Sequence, residues 1–105
     1  MKVIAEGDLL ELITTGKSRR YLSVSRNKDL MMGLRKALGI MMSVSNVKEF
    51  ASFSYLHYEK LKYGYSGRSS VRLSNRYVHR LIFEEKVDGL ALMLIEINDT
   101  HYGNK

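Results

Sequence analysis

The stretch VRLSNRYVHRLIFEEKVDGLALMLIEI, residues 71–97, decides the fold. At its start, apolar and polar residues alternate over 70–74, which is typical of a strand with one polar face. Asn75-Arg76 is suited to a tight turn. A second alternating run follows and predicts a strand over 77–84. The two runs therefore predict a pair of antiparallel strands joined by a short connection.

The second half of this stretch extends the pair to a third strand. Asp88-Gly89 is a strong hairpin signal, because both residues tolerate the positive φ angles that tight hairpin turns require. Leu90–Ile97 is almost entirely apolar, so we expect this strand to be covered on both faces and to lie centrally in the sheet. The prediction is a three-stranded antiparallel meander.

Two helices are predicted before the meander. Asp8 and Glu11 have the spacing of a capping box, and Gly16 is placed to end that helix. The strongest helix signal runs from Lys28 to Met42, with Asn27 available as its N-cap. Its apolar stripe consists of Leu30, Met31, Leu34, Leu38, Met41 and Met42. The four Met residues of this segment, Met31, Met32, Met41 and Met42, are interpreted as core filler.

Two shorter elements complete the expected order. Val3–Ala5 could form an opening strand, and Asn46 with Glu49 predicts a further helical turn that places Val47 and Phe50 inward. The order strand, helices, meander predicts an α+β domain, with a small antiparallel sheet and two to three helices packed on one face. Residues 1–105 contain no Pro, linker or repeat, so a single domain is expected.

Four arginines recur every four residues, at Arg68, Arg72, Arg76 and Arg80. On a helix this spacing would align four like charges on one face, which is unfavourable. The β-branched residues and the two turn signals favour strands instead. On two adjacent strands, Arg72 and Arg80 can project into the same groove.

Composition excludes several classes of protein. The chain has 105 residues, a formal net charge of +6 and no Cys, which removes disulfides, thiolate metal sites and cysteine nucleophiles. Three His without paired spacing make a poor ligand set, so no metal and no cofactor are expected. The longest apolar run, Leu90–Ile95, is far shorter than the roughly 20 residues that span a bilayer. We expect a cytoplasmic protein with no membrane partner.

Basic residues are concentrated in two segments. The segment from Lys60 to Arg80 contains Lys and Arg but no acid, and it also contains Tyr and His. A second basic cluster comprises Lys17, Arg19, Arg20, Arg26 and Lys28. A stretch of one charge sign is often only a solvated surface, but interleaved aromatic residues are what a phosphate-binding surface needs.

Several segments, taken in order, resemble the HigB branch of the RelE/ParE toxin superfamily. They are Thr15-Gly16-Lys17-Ser18-Arg19-Arg20 before the long helix, Tyr58-Glu59-Lys60-Leu61-Lys62, Ser69-Ser70-Val71-Arg72-Leu73, Arg80-Leu81-Ile82-Phe83-Glu84-Glu85, and Ile97 to Gly103. The resemblance covers nearly the whole chain through the order and spacing of these segments. It implies a RelE-like fold and the toxin of a type II toxin–antitoxin pair.

The resemblance also implies an activity, that of an endoribonuclease cleaving mRNA on the ribosome. In this metal-free chemistry a base takes the proton of the 2′-hydroxyl, which attacks the adjacent phosphate, and an acid protonates the leaving 5′-oxygen. The implied catalytic residues are Lys62, Arg72, Arg80, His101 and Tyr102. The implied RNA-binding residues are Lys60, His57, Arg68, Arg76, Lys17, Arg19 and Arg20. Arg72 and Arg80 are expected to clamp phosphate, since an Arg fork donates two hydrogen bonds and stays charged.

The sequence departs from the family pattern at the acid and base positions. Glu59 stands where many members have His, and His57 is shifted by two residues. The terminal pair reads His101-Tyr102, inverted from the common order, and Tyr63 stands where Gly is usual. Which residue is the acid and which is the base stays open.

Partners follow from the same resemblance. It implies a HigA-like helix-turn-helix antitoxin, the ribosome and mRNA as partners, with operator DNA bound only by the toxin–antitoxin complex. Two other functions are weighed against the nuclease: a non-enzymatic inhibitor of DNA gyrase resembling ParE, and an inactive basic domain that only assembles with a partner.

Overall fold

A five-stranded sheet forms the centre of the computed structural model, which describes residues 1–62 and 67–99. The strands are β1 (Lys2–Ile4), β2 (Glu59–Lys60), β3 (Arg68–Arg72), β4 (Arg80–Lys86) and β5 (Ala91–Asn98). Their order in the sheet is β1-β5-β4-β3-β2. The helices are α1 (Gly7–Thr15), α2 (Leu22–Ser25), α3 (Lys28–Ser43) and α4 (Val47–Ala51), with 3₁₀ turns at Ser54–Leu56 and Val87–Gly89. None of the described helices is both long and apolar enough to cross a bilayer.

The predicted α+β class and meander are confirmed, because β3, β4 and β5 pair antiparallel in chain order. The sheet is mixed rather than purely antiparallel, since β1 runs parallel to β5, with Lys2 opposite Ala91. β5 is an interior strand, as its apolar sequence predicts. The two-residue strand β2 was not predicted; it exists only through pairing with β3.

The strand boundaries shift slightly from the prediction. The turn at Asn75-Arg76 is present, but the strand predicted over 77–84 begins only at Arg80 and runs to Lys86. The Asp88-Gly89 hairpin is also present as a wider turn, in which Val87 and Asp88 both have φ of 52°. The turn therefore includes a β-branched residue in the left-handed region, which only small or polar side chains usually occupy.

The local caps of α3 and α4 form as predicted. Asn27 Oδ1 accepts a hydrogen bond from the Leu30 amide at 3.1 Å, and Asn46 Oδ1 accepts one from the Glu49 amide at 2.9 Å. The capping box predicted for α1 is wrong: the N-cap is Glu6, it makes no side-chain cap, and Asp8 lies within the first turn. Gly16 ends α1 in the left-handed conformation with φ of 77°, as its position predicts.

One large core lies between the four helices and one face of the sheet. Fully buried Phe50 and Phe83 meet there edge to face, with ring centroids 6.0 Å apart. Of the four Met in α3, Met31 and Met41 belong to this core. Met32 and Met42 are each 62% exposed, so the interpretation of all four as core filler is wrong for these two.

The helix α3 and the end of β3 touch backbone to backbone. A Cβ placed on Gly33 would lie 1.7 Å from the Leu73 carbonyl oxygen, which is far inside contact distance. Only a residue without a side chain fits here. Gly33 therefore sets the distance between α3 and the residue that follows Arg72.

Candidate functional site

The second face of the sheet carries Arg68, Arg72 and Arg80, and we name it the arginine face. Arg72 on β3 lies directly opposite Arg80 on β4. Directly opposed residues of an antiparallel pair project to the same face, so the two side chains lie side by side, as predicted. Like charges in this relation are destabilising. The fold therefore holds two guanidinium groups together at a cost in stability.

The Arg80 side chain is held by two contacts. Its Nε donates to Ser70 Oγ at 2.7 Å, and its Nη2 donates to the carbonyl oxygen of His57. Ser70 is fully buried although it was predicted on a polar face, because it lies beneath this guanidinium. His57 ends the 3₁₀ turn at Ser54–Leu56 with a left-handed backbone, φ 49°, which turns its carbonyl toward the sheet. Arg80 is thus oriented before any ligand arrives.

The side chain of Arg72 has fewer hydrogen-bond partners than that of Arg80. Its Nε is buried and has no hydrogen-bond partner within residues 1–62 and 67–99, and it forms no ion pair with a residue of those ranges. Buried donors are normally paired, and an orphaned one costs about 1–3 kcal/mol. The side chain lines a cavity of about 220 Å³ together with Lys36 and Tyr55. An anion placed here would satisfy Arg72 directly.

Arg68 shares the arginine face but is partly neutralised. Its Nε lies 3.3 Å from Glu84 Oε1, and Lys86 Nζ lies 2.7 Å from Glu84 Oε2. Hydrogen bonds from Lys86 and then from Arg68 lower the pKa of the Glu84 carboxyl. This pairing distinguishes Arg68 from Arg72, which forms no ion pair within residues 1–62 and 67–99.

The segment around β2 places neighbouring residues on opposite faces. Glu59 pairs with Ser70 and so lies on the arginine face, whereas Lys60 pairs with Ser69 and lies on the helix-covered face. Lys62 follows β2 and is exposed. The structure thus does not bring Lys60 to the Arg72–Arg80 pair. It places Glu59 on the arginine face instead, a carboxylate that the sequence analysis noted only as a departure from the family pattern.

Tyr58 fixes the position of this segment from the other side. Its hydroxyl donates to Glu85 Oε2 and lies 3.3 Å from Ser69 Oγ, which itself donates to Glu85 at 2.8 Å. Burial first, and the hydrogen bond to Glu85 second, raise the pKa of Tyr58 to about 12. Because Tyr58 is anchored under the sheet, the flanking residues His57 and Glu59 are held beside β3.

The remaining predicted RNA-binding residues lie apart from the Arg72–Arg80 pair. Arg76 forms an ion pair with Asp29 at 3.1 Å in the turn before β4. Arg20 lies over the Tyr21 ring and 3.6 Å from Glu96.

Lys17 and Arg19 line a separate cavity of about 430 Å³ that also includes Leu22 and Arg26. His101 and Tyr102 lie outside the described residues. Within the described ranges, no three His, Cys, Asp or Glu side chains group closely enough to hold a metal ion.

Comparison with known proteins rests on the fold. No protein-family model and no curated protein matches the sequence. Among solved structures, a YoeB/ParE toxin from Agrobacterium tumefaciens superimposes with a TM-score of 0.57 over 96% of this chain and 100% of that chain, at 13% identity. The chain has the fold of a YoeB/ParE toxin. The predicted RelE/ParE-like fold is thereby confirmed, and the HigB branch stays a prediction.

Proposed function

We propose that this chain is the toxin of a toxin–antitoxin pair and that it cleaves mRNA on the ribosome. The observation that carries the proposal is the directly opposed pair Arg72 and Arg80 on the arginine face. The pair costs stability, and the core on the helix-covered face does not need it. Two adjacent guanidinium forks match the oxygens of a phosphate group, which would convert the repulsion into shared binding.

The proposed reaction is attack of a ribose 2′-oxygen on the adjacent phosphorus. The 2′-hydroxyl loses its proton to a base, the bond from O2′ to phosphorus forms, and the bond from phosphorus to O5′ breaks. O5′ then takes a proton from an acid, leaving a 2′,3′-cyclic phosphate and a 5′-hydroxyl. Arg72 and Arg80 would bind the phosphate oxygens, whose negative charge grows in the transition state.

Candidates for the proton transfers lie on either side of this pair. Glu59 lies on the arginine face opposite Ser70, the residue that holds Arg80, and can accept the 2′-hydroxyl proton. His57 contacts Arg80 through its carbonyl, and its imidazole has both a donor and an acceptor nitrogen for a proton. Lys62, His101 and Tyr102 remain proposed on the family resemblance.

The decisive variant is Arg72→Met. Since Arg72 Nε has no partner in the described part of the chain, we expect this change to leave the free energy of unfolding unchanged or higher. Loss of one charged donor to the phosphate should lower the cleavage rate by roughly 10²–10³-fold, as for other transition-state donors. Arg80→Ala should also abolish cleavage but should lose stability, because it leaves buried Ser70 without its donor.

The assay is induction of the chain in cells, with growth followed and mRNA 5′ ends mapped. New ends in phase with codons, present for the wild type and absent for Arg72→Met, are the expected result. The matched control is Arg26→Met on the separate cavity, which should arrest growth like the wild type. Growth arrest by folded Arg72→Met would refute the proposed role.

The same experiment tests the two other functions. Induction of the DNA-damage response without new mRNA ends would indicate inhibition of DNA gyrase. No arrest and no new ends with the wild type would indicate an inactive basic domain. A pulldown with the product of the neighbouring open reading frame tests for the proposed HigA-like antitoxin.

A further inference from the structure

A groove leads from the N-terminal part of α3, at Asp29 and Met32, to Arg72. It is formed by two adjoining cavities of about 620 Å³ and about 220 Å³, which share lining from Gly33, Lys36 and the loop after β3. Asp29 and Arg76 line one end, and Tyr55 and Arg72 line the other. The groove therefore runs along the edge of the sheet and ends at the proposed phosphate clamp.

The depth of the groove depends on the contact between α3 and β3. At Gly33 the helix backbone packs against the Leu73 carbonyl, and position 33 has no side chain to fill the space. Met32, 62% exposed, offers an apolar surface in the larger cavity. An extended polymer segment can lie in this space, in contact with the backbone at Gly33 and the apolar side chain of Met32.

The charge of the groove is positive. Lys36 lines both cavities, and Arg35, Arg72 and Arg76 also contribute lining. Asp29 is the one acid in the described lining, and its carboxylate is already paired with Arg76 at 3.1 Å. The surplus of cations favours an anionic occupant.

An aromatic ring lies beside the central cation. Lys36 Nζ is 4.3 Å from the centre of the Tyr55 ring, and Tyr55 is 42% exposed. Grooves that bind single-stranded nucleic acid combine cations for the phosphates with an exposed ring on which a base can stack. Lys36 and Tyr55 supply both elements at the mouth of the smaller cavity.

We propose that this groove binds a single-stranded RNA segment adjoining the nucleotide whose phosphate Arg72 and Arg80 hold, an inference that rests on the proposed function. Lys36 contacts a phosphate in the groove and Tyr55 stacks on a base. The continuity of the groove with Arg72 favours RNA over an acidic peptide, because one strand can then occupy both places.

The test is binding of a short fluorescent RNA carrying 2′-O-methyl groups, measured by anisotropy at several salt concentrations. Such an RNA lacks the attacking hydroxyl, so binding is read independently of cleavage. We expect Lys36→Ala to weaken binding and to reduce the salt slope by about 0.7, the value for one phosphate contact on a single strand. Tyr55→Leu should weaken binding about five- to hundred-fold with the slope unchanged.

The matched control is Lys28→Ala, which removes a Lys from the same helix outside the groove lining. It should bind the RNA less than twofold more weakly than the wild type. If Lys28→Ala and Lys36→Ala weaken RNA binding equally, the inference is overturned. It is also overturned if polyglutamate binds more tightly than RNA and its binding depends on Lys36 to the same extent. If the wild type binds the RNA in a Lys36-dependent way but does not cleave mRNA in cells, the proposed function is refuted and the groove is not.

Discussion

The close contact between Gly33 of α3 and Leu73, which follows β3, can be tested by adding a methyl group at position 33 and measuring the free energy of unfolding. In Gly33→Ala the new Cβ would lie 1.7 Å from the Leu73 carbonyl oxygen and 2.7 Å from its carbonyl carbon. Ordinary carbon–oxygen contacts are about 3.3–3.6 Å, so helix and loop must separate by about 1.6 Å or more. Both partners are backbone, so rotation of a side chain cannot relieve the clash. Overpacking of this kind costs typically about 1–3 kcal/mol, and occasionally more.

Gly39→Ala in the same helix is the matched control. No atom outside the local helix lies within 4 Å of a Cβ at Gly39, and the position is exposed. Here only helix propensity changes, and Ala is favoured over Gly by about 1 kcal/mol. Because Gly33→Ala gains the same amount, the difference between the two variants isolates the contact. We expect Gly39→Ala to be about 1 kcal/mol more stable than the wild type.

The measurement is equilibrium unfolding in urea followed by circular dichroism, with unchanged m-values as the condition for comparison. Gly33→Ala should be less stable than Gly39→Ala by at least about 1 kcal/mol, a difference of roughly 4 °C or more in Tm. If the two variants unfold at the same urea concentration, α3 and the end of β3 are not in contact as described. The groove that depends on that contact would then also be wrong.

Two further predictions concern strained and titrating residues. Val87→Asn should raise the free energy of unfolding by about 1 kcal/mol, because Val87 has φ of 52°, a conformation that Asn tolerates better. Val87 is 68% exposed, so little packing is lost. Thermal unfolding with no rise in Tm would contradict this prediction. The raised pKa of Tyr58, about 12 against 10 in the unfolded chain, stabilises the folded state below pH 10, and that stability is lost as the pH rises toward 12. Tyr58→Phe should lack this loss, so urea unfolding curves of the two proteins that shift in parallel between these pH values would refute the assignment.

The parts of the fold that could be predicted are those fixed by neighbours in the chain. An Asn cap depends on an amide three residues later, so Asn27 and Asn46 could be recognised directly from the sequence. The cap at Asp8 was wrong because Gly7, with φ of 57°, turns the chain into α1 two residues before Leu9, where a helix capped by Asp8 would begin. Asp8 then lies inside the helix, where it cannot act as the N-cap.

The parts that could not be predicted depend on distant partners. β2 has only two residues, too few for a periodic signal, and it forms only where β3 accepts it. The opening strand predicted over Val3–Ala5 is found as β1 over Lys2–Ile4, but its parallel pairing with β5 was not predicted. Helical spacing likewise identified an apolar stripe in α3 without revealing its width. Whether Met32 and Met42 are covered depends on what packs beside the helix, and in the described structure both are exposed.

The same division explains which site residues were found. Arg72 and Arg80 could be assigned to two adjacent strands, but their direct opposition could not be predicted, because a two-residue turn at Asn75-Arg76 would oppose Arg72 to His79. Glu59 could not be placed, because its face depends on pairing of the two-residue strand β2 with β3. A one-residue slip in that pairing would exchange Glu59 and Lys60 between the faces and replace a candidate base by a cation.

Stability and the proposed activity make opposite demands on the arginine face. The helix-covered face is closed by apolar packing, and Ile82 on the arginine face is itself fully buried against Leu61. An apolar residue at position 72 would remove an orphaned donor, so stability alone does not account for Arg72. The presence of Arg72 opposite Arg80 is explained if both charges are needed at the same time by one phosphate. Arg72→Met is therefore expected to be a variant in which the fold becomes more stable while cleavage is lost.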